Sequence, residues 1–206
     1  PSNKNLDKDG KDLNEIGNFH ILSIQTRLAA KIDGPGIFGG RTSGYVETEF
    51  LGTTESDINS LRLRHAYVDL IFDNTTIRAG QFWHPLFATE NFPDVLNFNT
   101  GIPFLPFNRS PQIRLTHKFD DVSVFAAINT QRDFTIDGPD GYSNKYVRNS
   151  GIPEASFGIN YSTPQFYAGV AASAKTFRPF TYYSVGTDKY INEDKATTIS
   201  ATGNIK

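Results

Sequence analysis

The sequence predicts an all-β protein, and more narrowly a transmembrane antiparallel up-and-down β-barrel, from three observations. Apolar residues recur at every second position over segments of strand length, which is the side-chain period of a β-strand. No segment competes with this pattern as a helix. The connections between the segments alternate between short turns and long loops, as in a membrane meander with short turns at one end and long loops at the other.

Composition excludes several other classes. The 206 residues include no Cys, and 20 Lys and Arg face 22 Asp and Glu, a net charge of −2. This excludes a disulfide-stapled mini-protein and a strongly basic nucleic-acid binder. The mean hydropathy of −0.39 resembles that of a soluble protein, and no apolar run approaches the roughly 18 residues of a membrane helix. Neither the mean hydropathy nor the length of apolar runs detects a β-barrel, because its strands alternate apolar and polar residues.

The period-two pattern predicts nine strands within a single partial domain, residues 1–206. They lie near 20–32, 37–51, 61–72, 75–83, 112–119, 122–131, 155–161, 166–175 and from 197 onward. The predicted tight turns are "DGPG" (33–36), "DN" (73–74), "DD" (120–121) and "STPQ" (162–165), whose residues tolerate turn dihedrals. The predicted long loops are 52–60, 84–111, 132–154 and 176–196. In a soluble sandwich the connections cross both ends of the sheets, so short and long connections are not expected to alternate. The observed alternation therefore favours the membrane meander.

The two faces of each predicted strand differ in polarity. In the first strand Leu28 and Ile32 share one side, whereas Arg27 and Lys31 share the other. A half-buried soluble sheet has the same alternation, so the loop order is the observation that separates the two classes. Aromatic residues flank the short turns, as in an interfacial girdle, although strand propensity explains them as well: Phe38, Phe72, Phe119, Tyr161, Phe166 and Tyr167.

The orientation follows if the short turns are periplasmic. The first strand then descends from the cell exterior, whereas barrels of this kind begin in the periplasm. We therefore predict that residues 1–17 form an external loop, that a further strand precedes Asn18 and that several follow Lys206. On this count the segment 84–111 is the third external loop.

Basic side chains dominate the polar side of the predicted strands. With the apolar side toward lipid, nine basic residues point inward, Arg27, Lys31, Arg41, Arg62, Arg64, Arg78, Arg114, Lys118 and Lys175, against Glu47 and Glu49. A charge facing hydrocarbon at mid-depth costs about 2–4 kcal/mol, which explains the inward placement. Asp69 is the exception, since strict alternation turns it outward unless a bulge resets the register. The basic groups either pair with carboxylates to stiffen the wall or attract anions along a water-filled path.

The segment 84–111 is rich in proline and phenylalanine, with five of each. Proline resists regular structure, yet the segment is too apolar to extend into water. We predict that it folds into the barrel and narrows it. The alternative is that it packs on the barrel rim or on a neighbouring subunit.

Two stretches together resemble a known family. They are "LRLRHAYVDLIFDNTTIRAGQFWHPLF" (61–87) and "NFNTGIPFLPFNRSPQIRLTHKF" (97–119). Both are similar to bacterial outer-membrane porins, most of all the DcaP-like branch, in which arginine-bearing strands lead through a "GQ-[FY]-WHP" segment into a Pro/Phe-rich loop and an "R-x-PQIRLT" strand. The resemblance covers residues 20–130 well and the rest loosely.

This resemblance implies a homotrimer of roughly sixteen-stranded barrels in the bacterial outer membrane, in contact with lipid and lipopolysaccharide. Such a barrel passes small, often anionic solutes by diffusion, and its third external loop lines the constriction. The resemblance implies pore-wall bases at Arg62, Arg64, Arg78 and Arg114. It implies constriction-loop positions at Asn97, Asn99, Thr100 and Arg109.

Other signals for chemistry are weak. The stretch "DKDGKDLNE" (7–15) is similar to an EF-hand calcium loop, but Gly10 is at the wrong position for that pattern and Lys11 occupies a ligand position. We interpret it as a solvated external loop, which leaves adventitious divalent binding by Asp7, Asp9, Asp12 and Glu15 open. The histidines, His20, His65, His84 and His117, lack metal spacing, and no Ser/His/Asp arrangement or phosphate cradle occurs. We predict no enzyme, no metal and no cofactor.

The leading functional prediction is an outer-membrane porin for passive diffusion of small hydrophilic, anionic solutes. A second is a closed barrel that serves as a scaffold or surface receptor, with loop tyrosines as the contact surface: Tyr142, Tyr146, Tyr182 and Tyr183. A third is a soluble, lectin-like β-sandwich.

Overall fold

A single long antiparallel sheet dominates the computed structural model, which describes residues 3–15, 17, 19, 21, 26–52, 55–57, 59–92 and 107–206. The elements are β1 (Arg27–Ile37), β2 (Gly40–Phe50), β3 (Leu61–Ile71), β4 (Thr75–Trp83), β5 (Arg109–Phe119), β6 (Val122–Asn129), α1 (Lys145–Ser150), β7 (Glu154–Ser162), β8 (Tyr167–Phe177), β9 (Tyr182–Val185), β10 (Asp188–Ile191) and β11 (Ala196–Ile205). Strands β1 to β8 and β11 pair in chain order, and β9 pairs only with β10.

The predicted up-and-down meander is confirmed. Each predicted strand has its counterpart in the sheet, although residues 20 and 22–25 of the first lie outside the described residues. The sheet strands are 8 to 11 residues long, close to the roughly 9–11 residues of a membrane-spanning strand. Among the described residues, no helix combines the length and apolarity needed to cross a membrane. The hairpin β9–β10 and the short helix α1 were not predicted.

The first turn lies later than predicted. Strand β1 continues through "DGPG" to Ile37, and the chain turns at Phe38 and Gly39, with φ angles of 53° and 79°. Pro35 is accommodated at an irregularity, because the register shifts between Gly34 and Ile37, and proline is tolerated where ladder pairing is interrupted. The prediction of a turn at 33–36 was therefore wrong by a few residues.

One face of the sheet is apolar from edge to edge. A row of directly paired residues crosses all nine strands: Ile32, Gly44, Val68, Ala79, Ile113, Ile128, Ala155, Ala174 and Ile199. Its large members are open to the surroundings, with Val68 55% and Ile199 80% exposed. No second layer of described residues covers this apolar face, which contradicts the arrangement of a soluble sandwich.

A bulge in β3 corrects the predicted orientation of Asp69. Thr48 pairs with Leu63 and Glu47 pairs with His65, so Arg64 is an extra residue in the ladder. An extra residue reverses the side on which all later residues of a strand lie. Asp69 therefore lies on the same face as its partner Arg78, and the prediction from strict alternation was wrong.

Gly80 permits the close approach of β3 and β4. Its φ is 134°, and an added Cβ would overlap the Ala66 carbonyl oxygen and lie 2.6 Å from Tyr67 Cα. We expect Gly80→Ala to lower the free energy of unfolding by about 1–3 kcal/mol, because backbone atoms must move and the φ is strained. Urea unfolding in lipid vesicles measures this loss. Gly44→Ala is the matched control, since its Cβ would meet Ile32 Cβ at 3.9 Å. Equal stability of both variants would contradict the prediction.

Candidate functional site

The face opposite the apolar face, called the charged face below, carries the basic residues singled out in the sequence. One of its cross-strand rows runs through Asp33, Ser43, Asp69, Arg78, Arg114, Ala127, Ser156, Ser173 and Ser200. The adjoining rows place Arg27, Lys31 and Arg41 on the same face as Glu47 and Glu49. The two faces therefore differ sharply in polarity.

Four arginines surround Glu49 near the long-loop ends of the strands. Glu49 is 1% exposed, and its direct partners in the ladder are Arg27 on β1 and Arg62 on β3. The carboxylate oxygens lie 3.3 Å from Arg27 Nε, 2.5 Å from Arg62 Nη2, 2.7 Å from Arg64 Nη1 and 3.8 Å from Arg109 Nη1. Three strands, β1, β3 and β5, thus bring these cations to one buried carboxylate on β2.

Two more carboxylates complete this arginine cluster. Arg64 Nε also donates to Glu47, and Arg109 Nε donates to Asp133 Oδ2 at 2.9 Å. The Arg109 guanidinium lies 5.3 Å from the centre of the Trp83 ring, a cation–π distance. Four guanidinium groups therefore face three carboxylates, which leaves the cluster with one excess positive charge.

Arg78 is neutralised within the sheet. Its Nε and Nη2 each donate to one oxygen of Asp69, both at 2.8 Å, in the two-pronged geometry that favours arginine over lysine. The guanidinium also stacks between two aromatic rings, 3.9 Å from Tyr67 and 4.0 Å from Phe82. Arg78 is therefore a rigid part of the wall.

Arg114 has no such carboxylate. Its Nε donates to Gln112 Oε1 at 3.0 Å and its Nη2 to the Trp83 carbonyl at 3.1 Å. Among the described residues, no carboxylate oxygen lies within 4 Å of it. It lines a cavity of about 220 Å³ between the charged face and the segment 84–92. The hydrogen bonds of Arg114 described above therefore go to neutral acceptors alone.

The segment 84–92 packs on the charged face through a buried anchor. His84 Nε2 lies 3.1 Å from Oε1 of Glu154, which is 2% exposed. Glu154 Oε2 accepts from Asn129 Nδ2 at 3.1 Å and lies 3.0 Å from Lys175 Nζ. Phe87 stacks on Trp83 with ring centroids 4.5 Å apart. The start of the predicted constriction loop is thus fixed to β6, β7 and β8.

The remaining predicted residues fall into three groups. Lys31, Arg41 and Lys118 lie on the charged face and have no ion pair within 4 Å in the described part of the chain. Asn97, Asn99 and Thr100 lie outside the described residues. Arg109 begins β5 and is 1% exposed, so it belongs to the wall and not to the loop in which it was predicted.

Sequence reasoning missed three acidic contributors: Asp69, Asp133 and Glu154. Asp69 was hidden by the bulge, whose signal is the adjacent inward pair Arg64 and His65 in "LRLRHAYVD". Glu154 and its partner His84 are 70 positions apart, so no spacing rule could have joined them. The predicted ratio of nine basic to two acidic residues therefore overstated the positive excess.

The loops outside the sheet hold themselves together. In the segment 7–15, Asp7 Oδ1 accepts from the Asp9 and Lys11 backbone amides at 2.9 and 2.8 Å, as in an Asx turn. Within the described residues, no group of three acidic, His or Cys side chains could hold a metal ion. Lys145 donates to Asp140 at 2.5 Å, and this hydrogen bond raises the pKa of Lys145 above its ordinary value.

The loop tyrosines do not form the single exposed surface that the receptor hypothesis used. Tyr146 is 2% exposed, and its hydroxyl donates to the Gly141 carbonyl at 2.8 Å. Tyr142, Tyr182 and Tyr183 are exposed. Tyr146 therefore stabilises the loop instead of presenting a contact surface.

Two solved structures have a similar fold. The outer membrane channel DcaP of Acinetobacter baumannii matches with a TM-score of 0.67 and 19% identity, over 95% of this chain and 51% of that one. A loop L8 deletion mutant of OmpT, an outer membrane protein of Vibrio cholerae, matches with a TM-score of 0.51 and 11% identity, over 86% and 55%. No protein-family model and no curated protein matches the sequence.

These likenesses confirm the predicted fold: the nine-stranded sheet matches part of an up-and-down β-barrel like that of the outer membrane channel DcaP. The predicted location, the bacterial outer membrane, is the location of both neighbours. The chain spans about half the length of each of them.

Proposed function

We propose that this chain forms part of the wall of an outer-membrane porin, through which small hydrophilic solutes diffuse passively and in which anions are favoured. The observation that carries the proposal is the division between the two faces of the sheet. The apolar face is exposed on all nine strands, which suits lipid and the acyl chains of lipopolysaccharide, and the charged face suits a water-filled lumen. The similar fold of an outer membrane channel supports it.

The anion preference rests on cations that carboxylates do not fully neutralise. The arginine cluster has one excess positive charge, and Arg114 is held by neutral acceptors. Lys31, Arg41 and Lys118 add three more on the same face, against one further carboxylate without an ion pair among the described residues, that of Asp33. A low-dielectric wall concentrates their field along the water-filled path, which raises the local concentration of anions.

Conductance in planar bilayers tests the channel, and the reversal potential in a salt gradient tests its selectivity. Replacing both Arg62 and Arg64 by alanine turns the excess charge of the arginine cluster from one positive to one negative. We expect the chloride-to-potassium permeability ratio to fall about twofold or more. Lys145→Ala, in the loop between β6 and β7, is the control and should leave the ratio unchanged. An unchanged ratio in the double variant would remove the anion preference, and absence of any conductance would remove the channel.

The homotrimer rests on the resemblance to the porin family and is part of the same proposal. Three barrels in contact would cover part of the apolar face, and lipid would cover the rest. Chemical cross-linking of the protein in native outer membranes should then yield a ladder that ends at three subunits. A ladder that ends at one subunit would contradict the trimer without affecting the channel.

A further inference from the structure

The cavity beneath the segment 84–92 joins two side chains of opposite charge. Arg114 reaches it from β5 and Glu90 from the segment 84–92, while Asn160 and Tyr167 line it from β7 and β8. Its volume is about 220 Å³. Part of the lining is apolar, including Phe82, so the cavity offers both charged groups and an apolar surface to a ligand.

Arg114 has hydrogen-bonding capacity left over. Of its five N–H donors, one Nε and one Nη2 proton are used by Gln112 and Trp83. The Phe82 and Phe125 rings, 5.7 and 5.1 Å away, shield the guanidinium from water. A partly desolvated cation without an anionic partner gains from a bound carboxylate, since such charge-assisted hydrogen bonds are among the strongest in proteins.

Glu90 is equally without a cation. Its carboxylate interacts electrostatically with Arg114, but the two groups are more than 4 Å apart. Within the described residues, no basic group lies within 4 Å of the Glu90 carboxylate. Its neighbours are neutral hydroxyls: Thr89 Oγ1 donates to it at 3.3 Å, and Tyr167, whose hydroxyl donates to Asn160 Oδ1 at 3.1 Å, lines the same cavity. Two opposite charges thus face one cavity without pairing with each other.

We propose that this cavity is a binding subsite for small zwitterions such as free amino acids, with the solute carboxylate at Arg114 and its ammonium group at Glu90. A zwitterion bridges the gap that separates the two side chains and satisfies both at once. The nearby Arg78 does not compete for the carboxylate, because Asp69 already neutralises it. The cavity volume admits a small amino acid, whose side chain would contact Leu86 or Ala88. The inference rests on the proposed function, since it assigns a preferred solute to the same lumen.

Calorimetric titration of the purified protein in detergent tests this subsite without relying on conductance. The probes are L-alanine, propionate, which lacks the ammonium group, and ethylammonium, which lacks the carboxylate. We expect alanine to bind about tenfold more tightly than either single-charge analogue. Arg114→Gln should weaken alanine and propionate about tenfold, and Glu90→Gln should weaken alanine and ethylammonium but not propionate. Lys145→Gln removes a charge from the loop between β6 and β7, outside the lining of the cavity, and should leave all three unchanged.

The outcomes separate this inference from the channel itself. Glu90 is exposed, so Glu90→Gln does not depend on how well the sheet tolerates the change. Propionate binding as tight as that of alanine, or an unaltered alanine affinity in Glu90→Gln, would overturn the zwitterion subsite. A protein that conducts ions but does not bind alanine would overturn the subsite and leave the channel. Alanine binding by a protein that does not conduct would overturn the channel and the role in transport.

Discussion

Replacing Glu49 by alanine is expected to lower the free energy of unfolding by about 3–5 kcal/mol, because it leaves buried charges without a partner. Glu49 lies within 4 Å of Arg27, Arg62, Arg64 and Arg109. After the substitution, Arg62 loses its only ion pair among the described residues, and the four guanidinium groups repel one another. The measurement is the urea midpoint of the protein folded into lipid vesicles.

A double-substitution cycle separates this electrostatic cause from loss of packing. Removing Arg62 together with Glu49 relieves part of the repulsion, so the double variant should be more stable than the two single losses predict when added. The same variants report on selectivity, since Glu49→Ala adds one positive charge to the lumen and should increase the anion preference. A Glu49→Ala protein that unfolds at the wild-type urea concentration would show that the cluster is solvated and contributes little.

The strands were predictable because their physical cause is local. A sheet with one apolar and one polar face requires alternation within each strand, and the segments around Val124 and Val170 show it directly. The loop order was equally readable, since tight turns need residues such as Asp120, whose φ is 49°. The turn at Phe38 was missed because "DGPG" has the stronger turn composition, although the ladder tolerates Pro35 within β1.

The partners of the charged residues were not predictable, because register decides them. Alternation placed Arg62 and Glu49 on one face, but only the β2–β3 pairing makes them direct neighbours. A single bulged residue, Arg64, moved Asp69 from the lipid side to Arg78 and changed the charge balance of the wall. Sequence therefore indicates which side a charge occupies, whereas its neutralisation depends on contacts between distant strands.

Glu154 is the residue whose loss should most affect the segment 84–92. Its carboxylate contacts His84 from that segment and Asn129 and Lys175 from the wall. Glu154→Ala is expected to lower the free energy of unfolding by about 3–5 kcal/mol, because Lys175 loses its ion pair in a buried setting. It should also release the segment and raise the noise of the open-channel current, since the segment begins the loop proposed to narrow the lumen.

Two further variants divide these effects. His84→Ala removes only the loop side of the contact, so it should raise the current noise while leaving the wall pair of Glu154 and Lys175 and most of the stability intact. Lys175→Ala removes only the wall side, so it should lower stability while the loop stays attached through His84. Noise that rises equally in both variants would contradict a loop anchor at His84, because a general loosening of the barrel would then explain the current. Quiet currents in all three would instead place the segment away from the conducting path, and the narrowing of the lumen would have to come from other residues.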